Sequence, residues 1–352
     1  MRFETALKPV IMIPLPESIH QVRYRPTFHG LICGFAMWPD QRIEPLAGDD
    51  LNTVLARPHA VIWLHFNAHI GQARDWIASC EHLPEASRRF LLDTDDRRRL
   101  ELRGDSLMGV ISDIRYDFGF DFDPEQIATL RFHLDQGCLI STRRQPCSAA
   151  DQLRTEINSG RHFDSPAKLL IHLLESQVTK LNETTAQVRK LLDGIEDQVI
   201  AGRTRGQQAQ LGGIRRLAVR LRHHFVPEHR LLQQLCRRSP AWFSDIDHAS
   251  LQEATEEFRE LVEDVIETQE RAKLLQDELA ARTAEQTNNN LYILSFFTAL
   301  LLPPSLIAGI FGMNVVGVPG VQDGSTMAFW WVMLGMAAVS LLVLLILYLR
   351  RF

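Results

Sequence analysis

"LYILSFFTALLLPPSLIAGIFG", Leu291 to Gly312, decides the fold. It lies inside a longer run, Thr287 to Gln322, that holds no charged residue. As a helix its 22 residues extend about 33 Å at ~1.5 Å per residue, which matches a bilayer core of roughly 30 Å. A second uncharged stretch, Gly324 to Leu349, ends "MAAVSLLVLLILYL". Either run alone could be the core helix of a soluble protein. Two in succession favour a pair of membrane spans, 291–312 and 328–349. They are joined by a loop, 313–327, and followed by a basic tail, 350–352.

Flanking charge orients the spans. Arg271, Lys273 and Arg282 precede the first, and Arg350 and Arg351 follow the second. The loop has no Lys or Arg. The positive-inside rule then puts both termini in the cytoplasm and the loop outside. The expected location is the inner (plasma) membrane, as a multi-pass protein. Trp330, Trp331 and Tyr348 lie near the ends of the second span, where amphipathic rings favour the interface.

The chain of 352 residues carries a net charge of −5, with 38 basic and 43 acidic residues. Mild acidity gives no argument for nucleic-acid binding, so no nucleic-acid partner is expected. Five scattered cysteines without a CxxC suit reduced thiols rather than a disulfide framework. The N-terminal run "VIMIPLP" is short and broken by prolines, and reads as no secretory signal. No nucleotide-binding glycine loop, catalytic triad signature or zinc-enzyme motif is present, so no enzyme is expected.

Residues 1–30 are weakly patterned. Residues 31–160 read as an α/β domain: "LICGFAMW", "AVIWLHFN" and "LMGVISDIRYDF" have strand composition. "IATLRFHLDQGCLISTRR" reads as a hairpin turning at Asp135-Gln136-Gly137. "IGQARDWIASC" and "PEASRRFLLDT" read as helices. Residues 161–290 read as long helices. The first is capped by Ser165 with Pro166 at its first position and stops near Gly202. A second covers about Gln207 to Arg238. A third starts near His248, with heptad rows Leu251, Phe258, Val265 and Ala254, Leu261. It can run as a stalk of about 90 Å into the first span. Pro303 and Pro304 deprive the carbonyls of Ala299 and Leu300 of their usual donors and favour a kink.

Steps of three and four along the first span pick out Asn288, Leu291, Ser295, Thr298, Leu302, Ser305, Gly309 and Gly312. This face is small, hydroxylated or leucine. The opposite face carries Tyr292, Phe296, Phe297, Leu300, Leu301, Ile307, Ile310 and Phe311. Such a stripe suits close helix packing or the wall of an aqueous pore. A pore requires several copies of the chain, because one helix encloses nothing. Beyond the stripe, "GMN" can be a helix C-cap and turn. It can equally present the Asn314 side-chain oxygen to a hydrated cation that dehydrates reluctantly.

"IAGIFGMN" followed by "VGVPG", after a span with Pro303 and before a final span, resembles the CorA family of metal-ion transporters. "VIWLHFN", "LPEASRRFLL" and "GMNVVGVPG" are similar to features of its ZntB branch of zinc transporters. The resemblance implies an α+β cytoplasmic domain with long stalk helices and two C-terminal transmembrane helices, assembled as a homopentameric funnel. It implies that the first span lines a central pore, with Gly312, Met313 and Asn314 as the selectivity loop. Asn314 would meet the hydrated metal ion. Asn288 would sit at the inner mouth, Leu291, Leu294 and Leu302 would form constrictions, and Thr298 and Ser305 polar pore positions. The implied cargo is Zn2+, taken up with possible proton coupling, with no cofactor; Mg2+ or Co2+ channelling is the alternative. Two departures matter. Magnesium-type members carry an acid after the loop proline, whereas Gly320 follows Pro319 here. The ZntB branch often has Ile or Val where Met313 stands. A membrane-anchored coiled-coil scaffold is the reading from another class; it would need neither the stripe nor Asn314.

His59, His65 and His69 fall within eleven residues, but a strand at "VIWLHFN" separates their directions. Arg215, Arg216, Arg220, Arg222, His223, His224, His229 and Arg230 form a basic helix. It reads as a solvated face against the acidic stalk set Glu256, Glu257, Glu260, Glu263, Asp264 and Glu267, or as an element that senses ions. The acidic set reads as coiled-coil surface or as a device that concentrates cations.

Overall fold

The computed structural model describes residues 30–46, 51–57, 60–115, 127–202, 206–312 and 326–350. The segment 1–29, His59, Met313, Asn314, Pro319, Gly320, Asp323 and Arg351 lie outside the described residues. The chain divides into two compact units, Met1–Gln187 with Leu217–Ile266, and Val188–Arg216 with Glu267–Phe352.

The first unit is built on a mixed seven-stranded sheet. Its strands are β1 (Leu31–Met37), β2 (Ile43–Pro45), β3 (Val61–Asn67), β4 (Arg99–Arg103), β5 (Ser106–Ile114), β6 (Ile127–Leu134) and β7 (Cys138–Arg143). They lie in the order β2-β1-β3-β7-β6-β5-β4. Only the central β3–β7 pair is parallel, with Leu64 opposite Ile140; the remaining pairs are antiparallel. β1 and β3 are buried almost throughout. That explains their unbroken apolar composition, since a strand covered on both faces has no polar side to alternate with. Leu31, Ile62, Leu64 and Phe66 pack with Ala73 and Ile77 of α2 (Gly71–Ser79) and Leu91 of α3 (Glu85–Leu92) in one core.

Two strands were not legible in the sequence. β2 has three residues, and β4, "RLELR", carries three charges in five. Both are edge strands, where charge protects an open ladder from pairing with another chain. Near one edge, Gly109 in β5 sits between Leu100 of β4 and Phe132 of β6. A Cβ there would overlap the Phe132 ring and lie 2.6 Å from a Leu100 methyl.

Short helices α1 (Leu51–Leu55) and α4 (Ser148–Asn158) accompany the sheet. Three long helices and a shorter one complete the chain: α5 (Pro166–Ile200), α6 (Gln207–Arg237), α7 (Asp245–Phe311) and α8 (Thr326–Arg350). Ser165 caps α5 as expected, its hydroxyl accepting the Lys168 N–H at 3.1 Å. α7 starts three residues before the expected His248. Ser244 Oγ accepts the Asp247 N–H at 3.1 Å and Asp247 Oδ2 accepts the Ser244 N–H at 3.0 Å. This reciprocal capping box fixes the helix start. Asp247 Oδ1 also accepts the Ser165 hydroxyl at 3.3 Å. One carboxylate thus serves the first turns of two helices.

α7 is one helix of 67 residues that continues through Pro303 and Pro304. The two prolines remove the donors that would reach the carbonyls of Ala299 and Leu300, but they do not end the helix. In the second unit, Arg271 bonds Asp193 at 2.7 Å and also pairs with Glu196. Arg282 donates to Val199 O at 2.7 Å and pairs with Glu278 at 2.6 Å. These arginines of the basic flank therefore also tie α7 to α5.

Candidate functional site

The C-terminal part of α7 changes character near Ala280. Before it, Leu251, Phe258, Leu261, Val265, Ala272 and Leu279 are buried. After it, Leu291, Tyr292, Leu294, Phe297, Leu301, Leu302 and Leu306 are exposed. In α8, Met327, Phe329, Trp330, Trp331, Leu334 and Leu341 are exposed as well. A soluble chain does not leave so much contiguous apolar surface uncovered. Each helix holds an apolar window long enough to cross a membrane, with none of that window buried.

Asn288, Leu291, Leu294, Ser295, Thr298, Leu302, Ser305, Gly309 and Gly312 all belong to α7 or its final turn. At about 100° per residue they share one face roughly 120° wide. Their side chains are exposed along that face. Leu294, Ser295, Thr298, Ala299, Leu302 and Pro303 line a shallow, mainly apolar groove. The hydroxyls of Thr298 and Ser305 donate back to Leu294 O at 2.8 Å and Leu301 O at 2.7 Å. Their hydrogens are thus satisfied within the helix, and their oxygen lone pairs stay open. Gly312 closes the helix, its N–H reaching Ala308 O at 2.9 Å.

The other sequence candidates separate. His65 lies in β3, buried, with Nδ1 2.8 Å from Ser141 Oγ; the same hydroxyl accepts the Trp63 indole N–H at 3.1 Å. Burial, then Arg143 and Arg154, hold His65 well below its ordinary value, so it is neutral. His69 is exposed beyond the strand. On α6, burial lowers His224 to about 4, helped by Arg98, and burial also lowers His229. Neither contributes positive charge near neutral pH. Arg215 donates to the amide oxygen of Gln276 at 3.0 Å. On the acidic set, Arg259 bridges Glu256 at 2.7 Å and Glu263 at 2.6 Å along one helix face.

Two clusters escaped the reading of the residues. The first is a buried polar knot in the sheet unit. Glu228 of α6 accepts the Ser112 N–H and the Gln177 amide N–H, each at 2.8 Å. Gln177 also donates to Ser112 O, and Arg98 Nε donates to Ser112 Oγ at 2.7 Å. Next along β5, Asp113 accepts N–H groups of Ala149 at 3.0 Å and Ile114 at 2.7 Å. Burial pushes Glu228 and Asp113 each up to about 7. Nothing in "VPEHR" announces a buried carboxyl.

The second cluster is His133, Asp135 and Cys138, whose ligand atoms lie within 4.8 Å of one another. Among the described residues it is the only such group. The hairpin at Asp135-Gln136-Gly137 was legible. The spacing His-x-Asp-x-x-Cys across that turn was the available signal.

A sheet domain, long helices and two helices long and apolar enough to cross a membrane together form the frame of a membrane-attached protein. The chain belongs to the CorA family: the family model described as "CorA-like Mg2+ transporter protein" matches residues 58–351. It is 27% identical over 275 residues to "Divalent cation transporter CmaX" of Pseudomonas aeruginosa, covering 78% of this chain and 82% of that one. It is 25% identical over 280 residues to "Zinc transport protein ZntB" of Yersinia pseudotuberculosis, covering 79% and 84%. The solved structure of full-length CmaX superposes with a TM-score of 0.78 at 24% identity, over 92% of this chain and 98% of that one.

Proposed function

We propose that the protein carries divalent cations, zinc first, across the inner membrane through a pore lined by α7. The observation that carries this reading is the exposed face from Asn288 to Gly312, polar or leucine along a helix otherwise bulky and apolar. One copy of α7 encloses nothing, so the working unit is a homo-oligomer, a pentamer by family resemblance. Residues 31–160 form the cytoplasmic α/β domain and 161–290 the helical stalk. Residues 291–312 and 328–349 span the bilayer, with loop 313–327 outside and the tail 350–352 inside.

In this mechanism a hydrated cation meets a ring of Asn314 side-chain oxygens beside Gly312 and Met313. It then passes Gly309, Ser305, Thr298 and Ser295, whose oxygens and small volumes admit water. Rings of Leu302, Leu294 and Leu291 gate by excluding water when narrow, and Asn288 receives the ion at the inner mouth. Zinc is favoured over magnesium or cobalt by the ZntB-like flank, where Gly320 replaces the acid after Pro319. No Asp, Glu, His, Lys or Arg lies between Thr287 and Gln322, so any proton coupling acts through residues outside the span.

Purified protein in liposomes, with zinc- and magnesium-sensitive dyes and a pH gradient on or off, tests the reading. Zinc entry that rises with an inward proton gradient and fails in Asn314→Ala supports it. Magnesium entry indifferent to pH replaces zinc with magnesium as cargo. Flux of neither ion in a folded oligomer overturns the transport reading.

A further inference from the structure

The geometry points to a zinc-binding site in the sheet domain, formed by His133 of β6, Asp135 of the turn and Cys138 of β7. It lies outside the face of α7 and does not depend on which ion is carried.

The hairpin brings these residues together. Asp135 and Cys138 close the turn, the Asp135 N–H donating to Cys138 O at 3.0 Å. The Asp135 carboxylate divides its work. Oδ1 accepts the N–H groups of Gly137 at 2.9 Å and Cys138 at 2.8 Å, which fixes its orientation. Oδ2 is left facing His133 Nε2 at 3.2 Å and Cys138 Sγ at 3.5 Å. His133 is the next-to-last residue of β6, so its ring lies beside the turn that carries Asp135. An imidazole, a thiol and a carboxylate thus converge from six consecutive residues of sequence.

The two spacings from Oδ2 are close to those of a metal's coordination shell, and the three ligand atoms lie within 4.8 Å of one another. Zinc binds nitrogen at about 2.0–2.1 Å, oxygen at about 2.0–2.2 Å and sulfur at about 2.3 Å in a tetrahedron. The corresponding edges are about 3.4 Å for N···O and about 3.6 Å for S···O. Both observed distances from Oδ2 fall within about 0.2 Å of those edges. The donor set selects the ion: thiolate with imidazole suits zinc, whereas magnesium and calcium take oxygen ligands.

His133 and Cys138 are buried and Asp135 is half-buried. The site is therefore reachable from one side, where a water can complete the four-coordinate shell. His133 Nδ1 is buried with no hydrogen-bond partner. Oδ2 can only accept, so its contact with Nε2 places the ring hydrogen on Nε2 in the metal-free protein; binding at Nε2 moves that hydrogen to Nδ1. Loading is a ligand exchange. Zn2+ replaces the Cys138 thiol proton, which leaves to solvent.

The test uses full-length protein in detergent and Co2+ as a spectroscopic stand-in, followed by Zn2+ titration against a chromophoric chelator. We expect a thiolate-to-cobalt charge-transfer band, displaced by zinc, and about one more tightly bound Zn2+ per chain than in Cys138→Ser. Cys138→Ser loses the band. Asp135→Asn keeps the Oδ1 bonds of the turn but weakens zinc binding at least tenfold. Asn314→Ala keeps the band, which separates this site from the pore. Circular dichroism and gel filtration verify that each variant is folded. A band that survives Cys138→Ser, or equal zinc stoichiometry in folded wild type and Cys138→Ser, overturns the assignment.

Discussion

Glu228 of α6 accepts the backbone N–H of Ser112 in β5 at 2.8 Å, although 116 positions separate them. A helix of the long-helix segment and the strand next to one sheet edge are thereby joined through one buried carboxyl.

That carboxyl predicts a pH dependence. Burial raises Glu228 from 4.5 to about 7, against the lowering effect of Gln177, Ser112 and Arg98. Between those values the folded protein keeps a proton that the unfolded chain has released. The contribution of Glu228 to stability is therefore full below about 4.5, falls as pH rises to about 7, and is lost above. At ~1.36 kcal/mol per pKa unit the loss is on the order of 3 kcal/mol. Asp113, raised by burial to about 7, acts in the same direction. Urea midpoints of the detergent-purified protein at a series of pH values measure this. Glu228→Gln should flatten the curve and cost about 1–3 kcal/mol, because Ser112 and Gln177 donate to different carboxylate oxygens and one of these becomes an NH2 that cannot accept.

Gly109→Ala should destabilise the sheet unit. The added methyl overlaps the Phe132 ring and crowds Leu100, an overpacking cost of about 1–3 kcal/mol. The apparent unfolding temperature should drop, and Phe132→Leu in the same chain should recover part of the loss. An unchanged melting curve would show that the strands part freely there.

Ser244→Ala should cost about 1 kcal/mol through the lost cap of α7. Asp247→Ala should cost more, because Asp247 also holds the hydroxyl of Ser165 at the start of α5. Equal losses in the two variants would reduce Asp247 to a single-helix cap. Hydrogen exchange at the first turns of both helices distinguishes the two cases.

Within the proposed pore, Leu294→Ser and Leu302→Ser should raise ion leak into liposomes several-fold, because a hydroxyl wets a constriction that leucine keeps dry. Ser305→Ala should leave folding intact, since its hydroxyl bonds only Leu301 O in its own helix. It should slow flux. Leak unaltered by either leucine variant would move the gate elsewhere.

Much of this was legible because local pattern and tertiary packing agree. The runs that form β1 and β3, the turn at Asp135, the cap at Ser165 and the face of α7 all follow from composition and spacing. The family resemblance, too, rested on residues that local pattern places at the end of an apolar helix. What was missed depends on partners far along the chain. β4 is charged because it lies at a sheet edge. The Ser244–Asp247 box was overshadowed by "RSPAWFSD", which reads as loop. Glu228 stands in a basic helix and gains its burial only from Ser112 and Gln177. The signature residues Met313 and Asn314, clear in sequence, lie outside the described residues.

Pro303 and Pro304 carry a consequence for how this chain can evolve. The oxygens of Ala299 and Leu300 are freed by what the prolines lack, not by any side chain at 299 or 300. No substitution at those two positions can delete a main-chain oxygen. Mutational drift can reshape the greasy surroundings while this polar step persists. Exchanging a proline for a residue with an N–H restores the missing donor. The pair therefore writes a chemical feature into the backbone, where point mutation reaches it through very few doors.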